Sequence, residues 1–381
     1  MKRLMIALPL LLSPGLATAV NGVTKDSITF GSHTSLSGPA AVWGVASVNG
    51  LRLRFDEENK KGGVYGRKLK IVVEDHQYQV PKAIQAVNKL INRDKVFAMV
   101  GALGTPMNNA VMKRQFAKGV PNLFPYTSGR SMFEPYHDLK LGAFSSYYQQ
   151  VRRGVRYFAA KKKKTKICAM YQDTDYGQEI KDAVDDELKA QRLKLTAKAA
   201  HKPTEISFDV PVAKLKAAGC QVVVLGTIIK DTIQIVGTAK KMGWKPDFMV
   251  SLASYDGIVA RVRGGITEGL YSVTPYVAVH KDTKHKGARA FFAAYEAAYK
   301  KEPGVPAQFG YIFADMVVEG LKKAGKNPTP KKFMDGMRSL GEVKVRIQDD
   351  PIPTNPKRDF TKDASFLSVV KGGRWEKISR L

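Results

Sequence analysis

Hydroxyl and aromatic side chains, accompanied by glycines, are concentrated in a few short segments of this sequence. The side chains in question are Trp43, Thr105, Tyr126, Thr127, Ser128, Tyr176 and Tyr255. Hydroxyl groups and free backbone N–H groups at helix N-termini suit a carboxylate or another small anion. Aromatic rings suit an apolar body. Such residues also occur in ordinary turns, so it is their concentration in two sets of loops that indicates a ligand site.

Residue patterns that would indicate catalysis are absent from the sequence. It contains no G-x-S-x-G, G-x-x-x-x-G-K-[ST], H-E-x-x-H or G-x-G-x-x-G motif. His33 and His76 fall near strand ends, but no second ligand stands at metal spacing, which favours a structural role. Asp173 and Asp175 lack the remaining ligand positions of a calcium loop. The sequence therefore predicts no enzyme, no metal site and no cofactor.

Strand and helix patterns alternate along nearly the whole chain, which predicts an α/β fold with mostly parallel sheets. The predicted strands form two series: 28–34, 69–73, 96–100 and 120–124, followed by 167–171, 222–225, 248–251 and 270–273. Helical spacing of apolar residues separates them. Ligands of such sheets bind outside the carboxyl ends of the strands. The loops that follow these strands are 35–44, 101–109, 125–130, 172–177, 226–232 and 251–256.

The last third of the chain predicts helices at 287–301 and 308–324, and a final strand at 366–370. Residues 349–363 contain three prolines and are predicted to be irregular. The chain has the length of two domains. Because no low-complexity linker separates them, structured crossings are expected to join the two halves.

The N-terminus has the pattern of an export signal. Lys2 and Arg3 precede an apolar run at 4–12, and Ala17-Thr18-Ala19 forms a small-x-small cleavage site. We therefore expect residues 1–19 to be removed and the protein to reside in the periplasm. The apolar run is too short to span a bilayer.

Charge and cysteine content leave two questions open. The chain has 62 basic and 34 acidic residues, a net charge of +28. The lysines are dispersed, so a solvated surface is favoured over nucleic-acid binding. Cys168 and Cys220 stand within or beside apolar runs. A disulfide is compatible with export, and two buried free thiols are indicated at least as strongly.

Several segments, in order along the chain, resemble the branched-chain amino-acid-binding proteins of ABC importers, the leucine/isoleucine/valine-binding type. The segments are Leu36-Ser-Gly-Pro-Ala-Ala-Val-Trp-Gly44, Asn59-Lys-Lys-Gly-Gly-Val-Tyr-Gly-Arg67, Val73-Glu-Asp75, Asp94-Lys-Val-Phe-Ala-Met-Val-Gly101, Gly119-Val-Pro121, Tyr171-Gln-Asp-Thr-Asp-Tyr-Gly177, Phe208-Asp-Val-Pro211 and Gly310-Tyr311. Each is weak alone, and the ordered set is specific.

The resemblance implies two Rossmann-like lobes of periplasmic-binding-protein type I, joined by a three-crossing hinge around a ligand cleft. It places lobe 1 at residues 20–146 plus 276–348, and lobe 2 at 147–275 plus 349–381. By matching positions, Trp43 would cover the ligand side chain, and Thr105 and Ser128 would bind its carboxylate with the Tyr126 carbonyl nearby. Asp231 would pair with an ammonium group. The predicted ligand-binding set is Trp43, Thr105, Tyr126, Thr127, Ser128, Tyr147, Tyr176, Asp231 and Tyr255.

The expected function is to bind a small carboxylate-bearing solute, with an aliphatic or aromatic amino acid favoured, and to deliver it to ABC-transporter permease subunits. A monomer with no nucleic-acid partner is expected. Two departures from the family are the Gly104-Thr105-Pro106 loop, where proline removes a backbone donor, and Lys230 beside the acidic position. The alternatives are an aromatic or aliphatic acid or amide without an ammonium group, and a sensory ligand-binding subunit.

Overall fold

A computed structural model describes residues 19–143, 145–353 and 365–381. The predicted signal peptide lies outside these ranges except for Ala19, and so does most of the predicted irregular tail. No helix within the described residues is both long enough and apolar enough to cross a membrane.

The first lobe is built on a five-stranded parallel sheet with strand order β2-β1-β3-β4-β5. Its elements in chain order are β1 (Ser27–Thr34), α1 (Ala41–Lys60), β2 (Lys68–Asp75), α2 (Val80–Asn92), β3 (Met99–Val100), α3 (Thr105–Ala117), β4 (Asn122–Leu123) and β5 (Lys140–Leu141). The two predicted central strands shorten to two residues each, and β5 was not predicted.

The second lobe begins with α4 and contains five parallel strands, β6 to β10. Its elements are α4 (Tyr147–Arg156), β6 (Ile167–Gln172), α5 (Asp175–Ala190), β7 (Lys198–His201), α6 (Asp209–Ala217), β8 (Val222–Gly226), α7 (Ile229–Lys241), β9 (Asp247–Val250), α8 (Gly257–Ala260) and β10 (Tyr271–Thr274). Every residue of β6 and β8 is buried, as expected for parallel strands covered on both faces.

The remaining elements return to both lobes. Helices α9 (Lys286–Tyr299), α10 (Val305–Ala324) and α11 (Pro330–Arg338) join the first lobe, and β11 (Glu342–Val343) pairs with β12 (Ile352–Pro353). The hairpin of β13 (Phe366–Lys371) and β14 (Arg374–Arg380) then extends the second sheet, whose order is β14-β13-β10-β9-β8-β6-β7. The chain thus crosses between the lobes after β5, after β10 and between β12 and β13.

Helices α1 and α10 approach each other closely because glycines face each other's backbone. A Cβ atom on Gly50 would lie 2.1 Å from the Ala307 carbonyl oxygen, and one on Gly310 would lie 2.1 Å from that of Ser47. Beside this contact the buried Arg54 guanidinium pairs with Glu58 at 2.9 Å and with Asp315. The Glu58 pair lies within α1, and the Asp315 pair links α1 to α10.

Cys168 and Cys220 form a disulfide. Cys168 lies in β6 and Cys220 stands two residues before β8, the strand that pairs with β6. The parallel register brings their Cα atoms to 5.9 Å, within the range that a disulfide requires. Of the two alternatives that the sequence left open, the structure has the bridge.

Candidate functional site

A cavity lies between the two lobes, where the carboxyl ends of both sheets face each other. The first lobe contributes residues from the loops after β1, β2, β3 and β4, and the second lobe contributes residues from α4, α5 and the loops after β8 and β9. The volume open to the centres of water molecules is about 50 Å³. The space is therefore small.

Aromatic rings form most of the cavity wall. Trp43, in the first turn of α1, lies 6.4 Å from the Tyr126 ring and stacks on Phe309 at 6.3 Å between centroids. On the side of the second lobe Tyr147 and Tyr176 meet edge to face at 5.0 Å. The Tyr176 hydroxyl contacts Ser251 Oγ at 2.9 Å, which fixes its ring. Such a wall suits a flat or branched apolar body.

Hydroxyl groups gather at the N-terminus of α3. Thr105 is the first residue of this helix, and its Oγ1 lies 2.5 Å from Thr127 Oγ1. Thr127 Oγ1 also accepts from the Gly129 backbone N–H at 3.1 Å, and Ser128 lies beside it, 3% exposed. The helix dipole favours negative charge at this end. These groups can together bind a carboxylate with neutral donors.

The structure brings most of the predicted residues to the cavity wall. These are Trp43, Thr105, Tyr126, Thr127, Ser128, Tyr147 and Tyr176. Asp231 and Tyr255 do not line it.

Asp231 lies behind the wall, in the first turn of α7, and is fully buried. Its Oδ2 accepts from Gln172 Nε2 at 2.9 Å, and its Oδ1 has no hydrogen-bond partner among the described residues. Burial raises the pKa of Asp231 to about 6, while the Gln172 hydrogen bond and the Lys230 charge lower it. Among the described residues that line the cavity, none is Asp, Glu, Lys, Arg or His.

Tyr255 lies at the hinge instead of in the cavity. Its ring is fully buried against Trp375, 4.9 Å away, and its hydroxyl accepts from the Ala278 backbone N–H at 3.2 Å. The loop after β9 forms a 3-10 turn at Leu252–Ser254. This turn directs Leu252 and Ala253 to the cavity and leaves Tyr255 facing the crossing that follows β10.

Sequence reasoning missed several lining residues: Tyr78, Leu103, Ile228, Leu252, Ala253, Phe309 and Phe313. Tyr78 follows β2, whose carboxyl end lies at the same edge as those of β1 and β3. Its position after a strand of this sheet could therefore have identified it as a candidate lining residue. Gln77 and Tyr78 both have positive φ, 53° and 59°. Phe309 and Phe313 are spaced as neighbours on one face of α10, but their arrival at the cavity depends on tertiary packing.

Several hydrogen bonds join the lobes around the cavity, among them those of Trp43, Tyr78 and Asn109. Trp43 Nε1 donates to the Ala253 carbonyl at 2.9 Å, and the Tyr78 hydroxyl donates to Gln172 Oε1 at 3.4 Å. At the cleft mouth Asn109 Nδ2 donates to Asp175 Oδ2 at 2.6 Å. The lobes are therefore closed upon each other, and Trp43 holds the second lobe as well as lining the cavity.

Two buried histidines stand behind the wall of the first lobe and do not form a metal site. The rings of His33 and His76 lie 5.5 Å apart, and burial lowers the pKa of His76 to about 4. His76 Nε2 lies 3.1 Å from the Leu103 carbonyl, and its Nδ1 accepts from the Tyr78 backbone N–H. Within the described ranges no group of three or more His, Cys, Asp or Glu side chains could hold a metal ion.

The family model described as periplasmic binding protein matches residues 27–374 of the chain. One relative is the leucine-, isoleucine-, valine-, threonine- and alanine-binding protein of Pseudomonas aeruginosa, 23% identical over 317 residues, which covers 83% of each chain.

Two solved structures share the fold closely. A branched-chain amino-acid ABC transporter protein from Thermus thermophilus with bound valine has a TM-score of 0.83 at 16% identity, covering 94% of this chain and 96% of that one. An ABC-transporter solute-binding protein from R. palustris in complex with benzoate has a TM-score of 0.80 at 18% identity, covering 93% and 96%. At these identities the likeness establishes the fold alone.

Proposed function

Because the chain belongs to the periplasmic binding protein family, which consists of solute-binding proteins and not of enzymes, we propose that it captures a small carboxylate-bearing solute for an ABC importer. In this proposal the protein acts in the periplasm after loss of residues 1–19. The closed lobes present the loaded cleft to the permease subunits, and release follows when the lobes separate.

The contrast between the two ends of the cavity supports the proposed class of ligand. Hydroxyl groups of Thr105, Thr127 and Ser128 at the N-terminus of α3 suit a carboxylate. The rest of the wall is aromatic or aliphatic. Because no acidic side chain among the described residues lines the cavity, an ammonium group would have no direct counter-charge from them. This favours an aromatic or aliphatic acid without an amino group.

An α-amino acid is the second candidate, and one observation favours it. Asp231 Oδ1 is buried without a hydrogen-bond partner among the described residues, and a buried carboxylate oxygen is costly unless it is satisfied. A ligand ammonium could satisfy it if the side chains between Asp231 and the cavity moved. The valine-bound and benzoate-bound neighbours represent the two candidates within this fold.

A binding screen with matched pairs tests the proposal. We would measure thermal shifts and then isothermal titrations with 3-phenylpropanoate against L-phenylalanine, 4-methylpentanoate against L-leucine, and benzoate. A ligand that binds the native state raises apparent stability. The proposal expects at least one carboxylate to bind, and the acid of a pair to bind more tightly than its amino acid.

Thr105→Val tests the carboxylate end, because it removes a hydroxyl while keeping the shape of the side chain. A hydrogen bond to a charged group contributes about 1.5–3 kcal/mol, so we expect affinity to fall by at least about tenfold. The exposed Thr196→Val is the matched control. Unchanged affinity in Thr105→Val, or binding of uncharged amides but no acids, would show that the carboxylate assignment is wrong.

Transport is distinguished from sensing by uptake. If the protein serves an importer, deleting its gene abolishes accumulation of the labelled ligand in cells. If the protein is a sensory subunit, uptake persists and only the cellular response to the ligand is lost.

A further inference from the structure

Gln172 occupies the junction between the cavity wall and the buried Asp231. It is the last residue of β6 and is fully buried. Its Nε2 donates to Asp231 Oδ2 at 2.9 Å within the second lobe, and its Oε1 accepts from the Tyr78 hydroxyl, 3.4 Å away in the first lobe. The amide nitrogen is therefore hydrogen-bonded to a residue of the second lobe, and the amide oxygen to a residue of the first.

The partners fix the orientation of this amide. A carboxylate accepts hydrogen bonds, so the NH₂ group must face Asp231. The phenol of Tyr78 then donates to the remaining carbonyl oxygen. A flipped amide would place two acceptors against each other at Asp231, which is unfavourable. The sequence of contacts from the cavity inward is Tyr78, Gln172 and Asp231.

Gln172 is the side chain that donates a hydrogen bond to Asp231. No ion pair joins it to a cation among the described residues, and its side chain is buried. Its pKa is raised by burial and by the Glu205 charge, and it is lowered by the Gln172 hydrogen bond, the Lys230 charge and a backbone hydrogen bond of Ile228. An ammonium group that approached from the cavity would have to displace Gln172 and break the Tyr78 bond that helps to hold the lobes closed.

We propose that Gln172 is a specificity-determining residue, which masks Asp231 with a neutral amide and so selects carboxylates that lack an α-ammonium group. The inference rests on the proposed function, since it concerns the ligand of the same cleft. It goes further by identifying a residue outside the cavity wall that decides which of the two candidate ligand classes the cleft accepts.

The test compares binding ratios within matched pairs. We would titrate the wild-type protein, Gln172→Ala and the double variant Gln172→Ala/Asp231→Asn with 3-phenylpropanoate and L-phenylalanine, and with 4-methylpentanoate and L-leucine. The wild-type protein should prefer the acid by at least tenfold. Gln172→Ala, which uncovers Asp231, should shift this ratio at least tenfold toward the amino acid. The double variant should return to the wild-type preference, because the uncovered acceptor is then neutral.

Two outcomes contradict the masking role while leaving the carboxylate ligand intact. The first is an unchanged ratio in Gln172→Ala when both members of a pair still bind. The second is a wild-type protein that binds the amino acid more tightly and loses that preference in Asp231→Asn. If no member of either pair binds the wild-type protein, the ligand class itself is wrong, and the specificity role falls with it.

A measurement without ligand checks the contact on which the inference depends. Gln172→Leu keeps the side-chain volume approximately but removes the amide. The Asp231 carboxyl carbon, followed by ¹³C NMR through a pH titration, should show a higher pKa in Gln172→Leu than in the wild-type protein. Leu225→Met, a conservative change within the neighbouring strand β8, is the control for a general effect of core substitution. An unchanged Asp231 pKa in Gln172→Leu would overturn the proposal.

Discussion

At the scale of single residues, Glu179 fixes the loop that carries the hydroxyl groups of the cavity. Its carboxyl group accepts from the backbone N–H of Arg130 at 2.8 Å and from that of Tyr148 at 3.2 Å. Burial raises the pKa of Glu179 to about 7. The two backbone hydrogen bonds and the Arg130 charge oppose the shift, and the Asp182 charge adds to it. The guanidinium of Arg130 lies 4.1 Å over the Tyr148 ring.

This shift predicts a pH dependence of stability. The pKa in the folded protein lies above the ordinary 4.5, so between these pH values the folded state binds more protons than the unfolded chain. The contribution of Glu179 to the free energy of unfolding is therefore fully present below pH 4.5 and is lost as pH rises to about 7. Relative to the wild-type protein, Glu179→Gln should gain free energy of unfolding across this range.

Urea denaturation at several pH values measures the difference between the two proteins. Taking the difference removes the contributions of His76 and Asp231, which also titrate differently in the folded state. Glu319→Gln, at a partly exposed carboxylate, is the control. Its free energy of unfolding should vary with pH as that of the wild-type protein does. A Glu179→Gln protein whose free energy of unfolding varies with pH in the same way would contradict the assignment.

The indole of Trp43 leads to a second prediction at this scale. Trp43→Phe keeps an aromatic ring but removes the hydrogen bond to the Ala253 carbonyl in the other lobe. A neutral hydrogen bond contributes about 0.5–1.5 kcal/mol, so ligand affinity should fall by about three- to tenfold. Isothermal titration of Trp43→Phe measures this loss. Trp244→Phe is the control, because Trp244 packs on Phe248. An equal loss in both variants would exclude a specific interlobe role.

Which site residues could be predicted depends on what positions them. Thr105 and Ser128 lie in the segments that follow two strands of one parallel sheet, β3 and β4, so the fold class alone brings them to one edge. Tyr255 also follows a strand, yet a single 3-10 turn rotates it to the hinge. Phe313 reaches the cavity from a helix about 190 residues after β4 in the chain, and only the packing of α10 on α1 brings it there. Local sequence therefore specifies the loop residues better than the residues that later elements contribute.

At the scale of elements, the close contact between α1 and α10 predicts that replacing one of its glycines, even by alanine, destabilises the protein. Gly310→Ala would place a methyl group against the Ser47 carbonyl, and overpacking of this kind costs about 1–3 kcal/mol. Gly237→Ala, within α7, is the matched control, since the nearest atom to its Cβ would be 3.7 Å away. It should stabilise the protein by about 0.5–1 kcal/mol through helix propensity. Thermal or urea denaturation distinguishes the two, and equal stabilities would contradict the close approach.

The disulfide between β6 and the start of β8 predicts sensitivity to reductant. It closes a loop of 52 residues, and a disulfide typically contributes about 2–4 kcal/mol. The Cys168→Ala/Cys220→Ala variant should lose stability by about that amount and should be indifferent to dithiothreitol, while the wild-type protein should lose stability when reduced. A wild-type unfolding curve that is unaffected after full reduction would show that the bridge contributes little.

Elements with continuous apolar runs, such as β6 and β8, were predicted within a residue or two of their bounds. The structure adds β7, α6 and β14, which the patterns did not reveal. Strand β14 carries mostly polar residues because it lies at the edge of the sheet and is largely exposed, and β7 lies at the opposite edge. Neither strand is buried on both faces, so neither has the continuous apolar run that reveals β6 and β8.

At the scale of the whole molecule, the chain has a net charge of +28, but acidic side chains outnumber basic ones at the cleft mouth. Asp173, Asp175, Glu179 and Asp182 face Arg130 there. An anionic ligand therefore gains little steering on approach. Its association rate should change by less than about threefold between 0.05 and 0.5 M salt, although exposed charges are screened beyond about 10 Å at 0.1 M. Stopped-flow tryptophan fluorescence measures the rate, and a steep decrease with salt would reveal a basic approach path.

The route of the chain between the lobes has a consequence for the time at which the protein can fold. The first lobe lacks α10, which covers α1, until residue 324 has appeared, and the second sheet lacks its β13–β14 hairpin until residue 380. A chain that emerges from the ribosome N-terminus first therefore cannot complete either core until most of its length is available.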